Sequence, residues 1–185
     1  MNKFGTQFVP TGEIAVLRRG VTSGCDAFFM PNDVTDWALD KFDNEHAFKK
    51  RYGLSRISVE KGVVKIVRAG DGSEHPIETE YLAPEVHSLR DFQRCVLRTS
   101  DCDRVILMVN KRQTDVSGTW VGRYLRYGET HKFASAKSKP VVVPKRTTCA
   151  ARDPWYDLTK VTKPGMVFCQ WRITIDMSSH RTLTH

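Results

Sequence analysis

The apolar residues of this chain come in short runs, and this limits what it can fold into. Ala27-Phe28-Phe29-Met30, Val63-Val64-Lys65-Ile66-Val67, Val105-Ile106-Leu107-Met108-Val109, Val141-Val142-Val143 and Met166-Val167-Phe168-Cys169 each end within a few positions at proline or a basic residue. Runs of this size make short strands or single helical faces, and none approaches the roughly 18 apolar residues a membrane span needs. With 185 residues, 40% of them hydrophobic, the chain can still bury one core. The expectation is a single mixed α+β domain, a sheet of short strands with a few short helices, without repeats or low-complexity tracts.

Punctuation places the elements. Glu13 to Arg19 reads as a strand stopped by Gly20, and Ala27 to Met30 as a short strand ended by Pro31, with the polar loop Gly20-Val21-Thr22-Ser23-Gly24 between. Asn32-Asp33 is placed to cap a helix through Trp37, Leu39 and Phe42. Asp43-Asn44 is placed to cap another from Glu45 to Tyr52, closed by Gly53. Ile57-Ser58-Val59 and Val63 to Val67 flank Glu60-Lys61-Gly62 as a hairpin. Asp71-Gly72-Ser73 is a turn, Pro84 to Phe92 is irregular, and Arg104 to Val109 is a central strand. Trp120, Val121, Tyr124 and Leu125 form one helical stripe between Thr119 and Glu129, capped by Ser117. Lys137 to Pro140 reads as a polar break, Lys145 to Arg152 as a basic irregular stretch, and Met166 to Ile173 as a strand. Trp37, Phe42, Phe48, Tyr124 and Phe168 sit at spacings expected of core residues.

Five cysteines (Cys25, Cys95, Cys102, Cys149, Cys169) show no C-x2-C or C-x4-C spacing, and six histidines show no paired ligand spacing, so the expectation is a metal-free protein. The opening Met1-Asn2-Lys3-Phe4-Gly5-Thr6 lacks the apolar segment of a signal peptide, which predicts a cytoplasmic protein with reduced thiols and no membrane partner.

Charge is uneven. Residues 1–92 hold 12 basic and 14 acidic side chains, and residues 93–185 hold 17 and 7, so the overall +8 belongs to the second half. A polyanion facing that half is the first expectation, set against solubility alone.

Several segments, taken in order, resemble one family. Gly20-Val21-Thr22-Ser23-Gly24-Cys25-Asp26-Ala27-Phe28-Phe29 is followed by Tyr81-Leu82-Ala83-Pro84-Glu85-Val86 with Leu89-Arg90-Asp91-Phe92. The strand Val105 to Val109, then Tyr124-Leu125-Arg126-Tyr127-Gly128-Glu129, then Arg152-Asp153-Pro154-Trp155-Tyr156-Asp157-Leu158 complete the series. This order, from about residue 12 to 175, resembles the C-terminal target-recognition (TaqI-like specificity) region of N6-adenine DNA methyltransferases and fused restriction–modification enzymes. The resemblance implies a target-recognition-domain-like α+β fold whose partners are double-stranded DNA and the catalytic methyltransferase domain of a longer protein. S-adenosylmethionine would belong to that catalytic domain, since no F-x-G-x-G loop occurs here. Asp153-Pro154-Trp155-Tyr156 departs from the family's Asn/Asp-Pro-Pro-Tyr/Phe by a tryptophan and has a polar stretch upstream, so no catalytic residue is expected.

Reader chemistry divides into phosphate contacts that position and base contacts that specify. For phosphate, the candidates are Lys137, Lys139, Lys145, Arg146 and Arg152, with Arg18, Arg19 and the hydroxyls of Thr22 and Ser23 at the glycine loop. For bases, the candidates are Lys111, Arg112 and Gln113 after the apolar strand, and Arg123 and Arg126 on the helix. Two other classes compete. A protein-interaction module would dock on a catalytic domain with little DNA affinity of its own. A small nuclease would need clustered carboxylates, for which Glu78 with Glu80 and Asp101 with Asp103 are the available pairs.

Overall fold

The structure, a computed structural model, describes Glu13 and residues 20–88, 98–135 and 138–161. Within them a five-stranded antiparallel sheet carries short helices on both faces, and a separate two-stranded hairpin lies beyond it. The elements are α1 (Asp26–Phe29), β1 (Asn32–Asp33), α2 (Thr35–Lys41), α3 (Glu45–Tyr52), α4 (Arg56–Glu60), β2 (Val64–Arg68) and β3 (Glu74–Glu78). After a single 3-10 turn come β4 (Leu82–Glu85), β5 (Arg104–Leu107), α5 (Trp120–Thr130), β6 (Lys132–Ser135), β7 (Ser138–Val142) and α6 (Thr147–Ala150). The order across the sheet is β3-β2-β1-β5-β4. The apolar run at Val105 therefore lies inside the sheet, between β1 and β4.

Strand β2 shows how alternation builds two layers. Val64 and Ile66 face a cluster with Ala38, Phe48, Tyr52, Leu54 and Val59 from α2 to α4. Val67 faces the larger core, where Phe28, Ile77, Leu107, Val121, Tyr124, Leu125, Phe133 and Tyr156 meet. The centre of that core is aromatic: Phe28 stacks on Tyr124 at 4.5 Å and 4° and packs against Phe133 and Trp155 at 5.7 Å. Each such side chain withdrawn from water contributes roughly 1.5–3 kcal/mol. The Tyr124 hydroxyl is satisfied at the same time by donating to Phe28 O at 2.8 Å.

Local signals account for the two best-defined helices. Asn44 Oδ1 accepts from Ala47 N at 2.8 Å, and Gly53 ends α3 in the left-handed region at φ 75°. Asn44→Ala is expected to cost about 1 kcal/mol, seen as a fall of roughly 2–4 °C in melting temperature. Helix α5 buries Val121, Tyr124 and Leu125 as the stripe predicts and leaves Arg123 and Arg126 exposed. Its cap is Thr119 rather than Ser117: Thr119 Oγ1 accepts from Gly122 N at 3.1 Å, which Ser117 is two residues too early to do. The Glu78 carboxylate also accepts from Trp120 N (2.7 Å) and Val121 N (2.9 Å), neutralising the open helix end.

Several local expectations are corrected. Ala27 to Met30 belongs to the turn of helix α1, because Phe29 N and Met30 N bond back to Cys25 O and Asp26 O. Asn32-Asp33 is a strand, paired on both sides, although Asp33 Oδ1 still accepts from Thr35 N at the start of α2. Ile57 to Val59 is helical, since Ser55 Oγ caps the turn by accepting from Ile57 N. Pro84 and Glu85 complete β4, where Pro84 sits on the sheet edge, needing no donor. Ser138 to Pro140 pairs with β6 instead of breaking the chain, and Val143 to Ala150 forms a 3-10 turn and helix α6. Trp37 is not core: it is 39% exposed, with Arg68 and Lys41 at 4.3 and 4.5 Å over its ring. Of the strand expected over residues 13–19 only Glu13 is described, and it is helical; residues 14–19, the strand expected over 166–173, the segment 89–92 and Phe168 lie outside the described residues.

Candidate nucleic-acid interface

The glycine loop is held from behind by the basic segment that follows β7. Gly24 has φ +85°, and a side chain there would meet Cys149 Sγ and Thr148 Cβ at 2.9 Å, so the loop lies directly on α6. Arg152 Nη2 donates to Ser23 O at 2.6 Å, and Arg146 Nη1 donates to Gly24 O at 3.3 Å. Arg146 Nη2 continues to Phe133 O at 2.8 Å, so one guanidinium ties the loop to the β6–β7 hairpin. Ser23, fully buried, accepts from Cys25 N at 3.0 Å and donates to the Asp26 carboxylate. These bonds fix the carbonyls of Ser23 and Gly24 inward. No described residue accepts from the backbone N–H of Thr22, Ser23 or Gly24, and the Thr22 side chain is exposed.

Two concavities lie on either side of this arrangement. The first, about 600 Å³, is lined by the loop from Gly20 to Ala27, by Ala134 and by Arg146. The second, about 750 Å³, is lined by Arg112, Gln113, Pro144, Ala150 and Arg152 to Tyr156. The segment from Pro144 to Arg152 thus contributes to both walls and forms the ridge between them. The loop carrying Arg112 is tied to the second concavity, because Tyr156 donates its hydroxyl proton to Lys111 O at 3.0 Å.

The expected site residues separate into three groups. Thr22, Ser23 and Arg146 meet at the first concavity, and Arg112, Gln113 and Arg152 at the second. Lys139, Lys145, Arg123 and Arg126 are exposed nearby in sequence but line neither; Arg123 lies 4.2 Å over the Trp120 ring and Arg126 Nη2 donates to Ser117 O at 2.8 Å. Lys111 is engaged by Tyr81 Oη at 2.9 Å and Glu80 at 3.4 Å, and Gln113 Nε2 by Glu129 at 2.8 Å. Arg18, Arg19 and Lys137 lie outside the described residues. Arg146 and Arg152 are turned to backbone carbonyls, and Arg152 also to Cys149 Sγ at 3.2 Å, leaving Arg146 Nε and Arg152 Nη1 buried and unpaired. Sequence reasoning singled out neither Asp26 nor Asp153 as a binding residue, yet each lines a concavity. An Asp-Pro pair directly after Arg152 is the signal that could have marked the second.

Among the described residues, three of the four carboxylates in the candidate nuclease pairs are engaged within the fold, and the thiols of Cys25 and Cys149 are buried in it. Glu78 caps α5, Glu80 binds Lys111, and Asp101 accepts from Arg98 N at 2.9 Å. Burial pushes the Cys149 and Cys25 thiols up, against the pull of Arg152 and Arg146 on Cys149 and of Arg146 on Cys25, so both are protonated at neutral pH. Among the described residues there is no cluster of three or more His, Cys, Asp or Glu placed to hold a metal, and no helix long and apolar enough to cross a membrane. What remains is a surface of hydrogen-bond donors and fixed positive charge. Comparison with protein-family models, with curated proteins and with solved structures gave no match.

Proposed function

We propose that this chain is a sequence-specific recognition module for duplex DNA, target-recognition-domain-like in fold and working in the cytoplasm. It would position DNA for an adenine methyltransferase domain outside these 185 residues, and no methyl-transfer step is assigned to its own side chains. One observation carries the reading. Among the described residues, no Lys or Arg between 112 and 152 is ion-paired to a carboxylate. In the first half Arg51, Arg56, Lys65 and Arg68 are ion-paired, whereas Lys41, Lys49, Lys50 and Lys61 are not. A row of cations left without internal counter-charge, with glycine-loop amides beside it, suits a phosphate backbone.

Exposed cations that serve no carbonyl are the ones to test, which excludes Arg146 and Arg152. The double variant Lys139→Glu/Lys145→Glu is expected to bind duplex DNA at least tenfold more weakly than the parent. Its log–log salt dependence should be shallower by roughly two phosphate contacts' worth, about 0.9 per contact. Unchanged binding, with loss of association to a methyltransferase catalytic domain instead, would make the surface a protein-docking face.

A further inference from the structure

The second concavity differs from the first in that its lining includes both an acidic and a cationic side chain that no described residue engages. Arg112 is exposed and its guanidinium has no partner among the described residues. Asp153 lines the same concavity, is exposed, and its carboxylate has no partner there either; Lys160 Nζ takes its backbone oxygen, at 3.2 Å. In the first concavity, by contrast, the Asp26 carboxylate is already occupied by the Ser23 hydroxyl.

Both free heads stand on braced backbone. Lys111 O accepts from the buried Tyr156, Arg152 Nε donates to Trp155 O at 3.1 Å, and Asp157 N donates to Pro154 O at 3.0 Å. Bracing of the backbone confines the ordering cost of binding to the two side chains themselves. A phosphate would be drawn by Arg112 and repelled by Asp153, so the pair does not suit a phosphate. It suits a neutral group that presents paired acceptors beside a donor. The major-groove edge of a G·C pair does this: guanine O6 and N7 accept from a guanidinium, and the cytosine N4 amine donates to a carboxylate. An A·T pair offers the guanidinium no adjacent pair of acceptors.

We infer that Arg112 and Asp153 read a G·C base pair in the major groove, Arg112 through guanine and Asp153 through cytosine. The inference rests on the duplex-recognition reading and assigns its base-specific part to this concavity. The test is selection of preferred sites by the full chain from a duplex pool with a randomised central segment. Arg112→Lys and Asp153→Asn are compared in parallel, with thermal melting to confirm that both exposed substitutions leave the fold intact. Lysine keeps the charge of Arg112 and loses its two-pronged geometry. Each variant is expected to lose about tenfold or more of the preference for G·C at one and the same position. Binding to unselected duplex should change by less than about twofold with Arg112→Lys. Selected positions that stay the same in both variants, or weakening that is uniform across sequences, would overturn this inference and leave duplex recognition standing. Failure of the parent chain to bind any duplex would overturn the duplex reading itself, and this inference with it.

Discussion

Replacing Gly122 with alanine is expected to destabilise the fold by about 3 kcal/mol or more, a fall of roughly 6–12 °C in melting temperature. A Cβ at that position would lie 1.8 Å from Val116 O and 2.8 Å from Val116 C. The obstacle is backbone, not the end of a flexible side chain, and it cannot retreat cheaply. Val116 O also accepts from Thr119 N at 3.1 Å and Thr119 Oγ1 at 2.7 Å, so moving it opens the turn that caps α5. That turn seats the Glu78 carboxylate on Trp120 N and Val121 N, and through it the edge strand β3. Gly118→Ala, four residues earlier, has nothing within 4 Å of its added carbon and serves as the control. Equal melting temperatures for the two variants would show that the α5 cap is not packed as described.

A second large effect is set by pH. His75 lies against Tyr124 and Tyr127, with ring centroids 4.9 and 4.4 Å away, and its Nε2 is 2.8 Å from Ser73 Oγ. Burial pushes its pKa down to about 4, against the opposing pull of Asp71. The unfolded chain takes up this proton near pH 6.5, whereas the folded chain refuses it until about pH 4. The stability is therefore complete above pH 6.5, declines as pH falls from 6.5 to 4, and has no further His75 contribution below that. Its size is at most about 3 kcal/mol. The side-chain bonds from Ser73 and Tyr127 to Asp71, and from Arg51, Arg68 and Tyr52 to Glu74, outweigh burial and hold both carboxyls below their usual range. Their contributions have the same sign and are lost lower still, as the carboxylates protonate. Denaturant unfolding at pH 7 and at about pH 4.5 should show the drop, and His75→Gln should shrink it. A His75→Gln protein that loses as much stability as the parent between these conditions would contradict this account.

Elements whose ends and faces are written in local chemistry were legible in the sequence. Asn44 and Gly53 bracket α3 by side-chain capping and positive φ, and Tyr124 with Leu125 marks the buried stripe of α5. The misread segments are those where four or five residues carry both patterns. Ala27-Phe28-Phe29-Met30 has no period to distinguish a strand from one helical turn, and Ile57-Ser58-Val59 alternates like a strand while Ser55 caps it as a helix. The candidate surface could be read in the sequence as charge but not as geometry. Nothing in Lys145-Arg146 tells which side chain remains in solvent and which turns to Gly24 O, since that depends on a loop far away in sequence. Asp153 drew attention only as part of a methyltransferase-like tetrapeptide, because its sharing a concavity with Arg112 goes with Tyr156 reaching Lys111 O.

The clasp between the glycine loop and the basic ridge also orders events in time. Arg146 and Arg152 grip carbonyls that lie 122 and 129 residues earlier in the chain. A contact that closes so long a span pays nearly its whole entropic cost before any of its bonds form. The hairpin of β2 and β3, joined by the Asp71–Ser73 turn, has its partners within a few residues and can form while synthesis continues. The glycine loop cannot take its final shape until residue 152 has left the ribosome, although it is the first irregular segment the chain contributes to the described fold. In this protein the proposed DNA-facing surface is thus completed only after the β2–β3 hairpin has had its partners available.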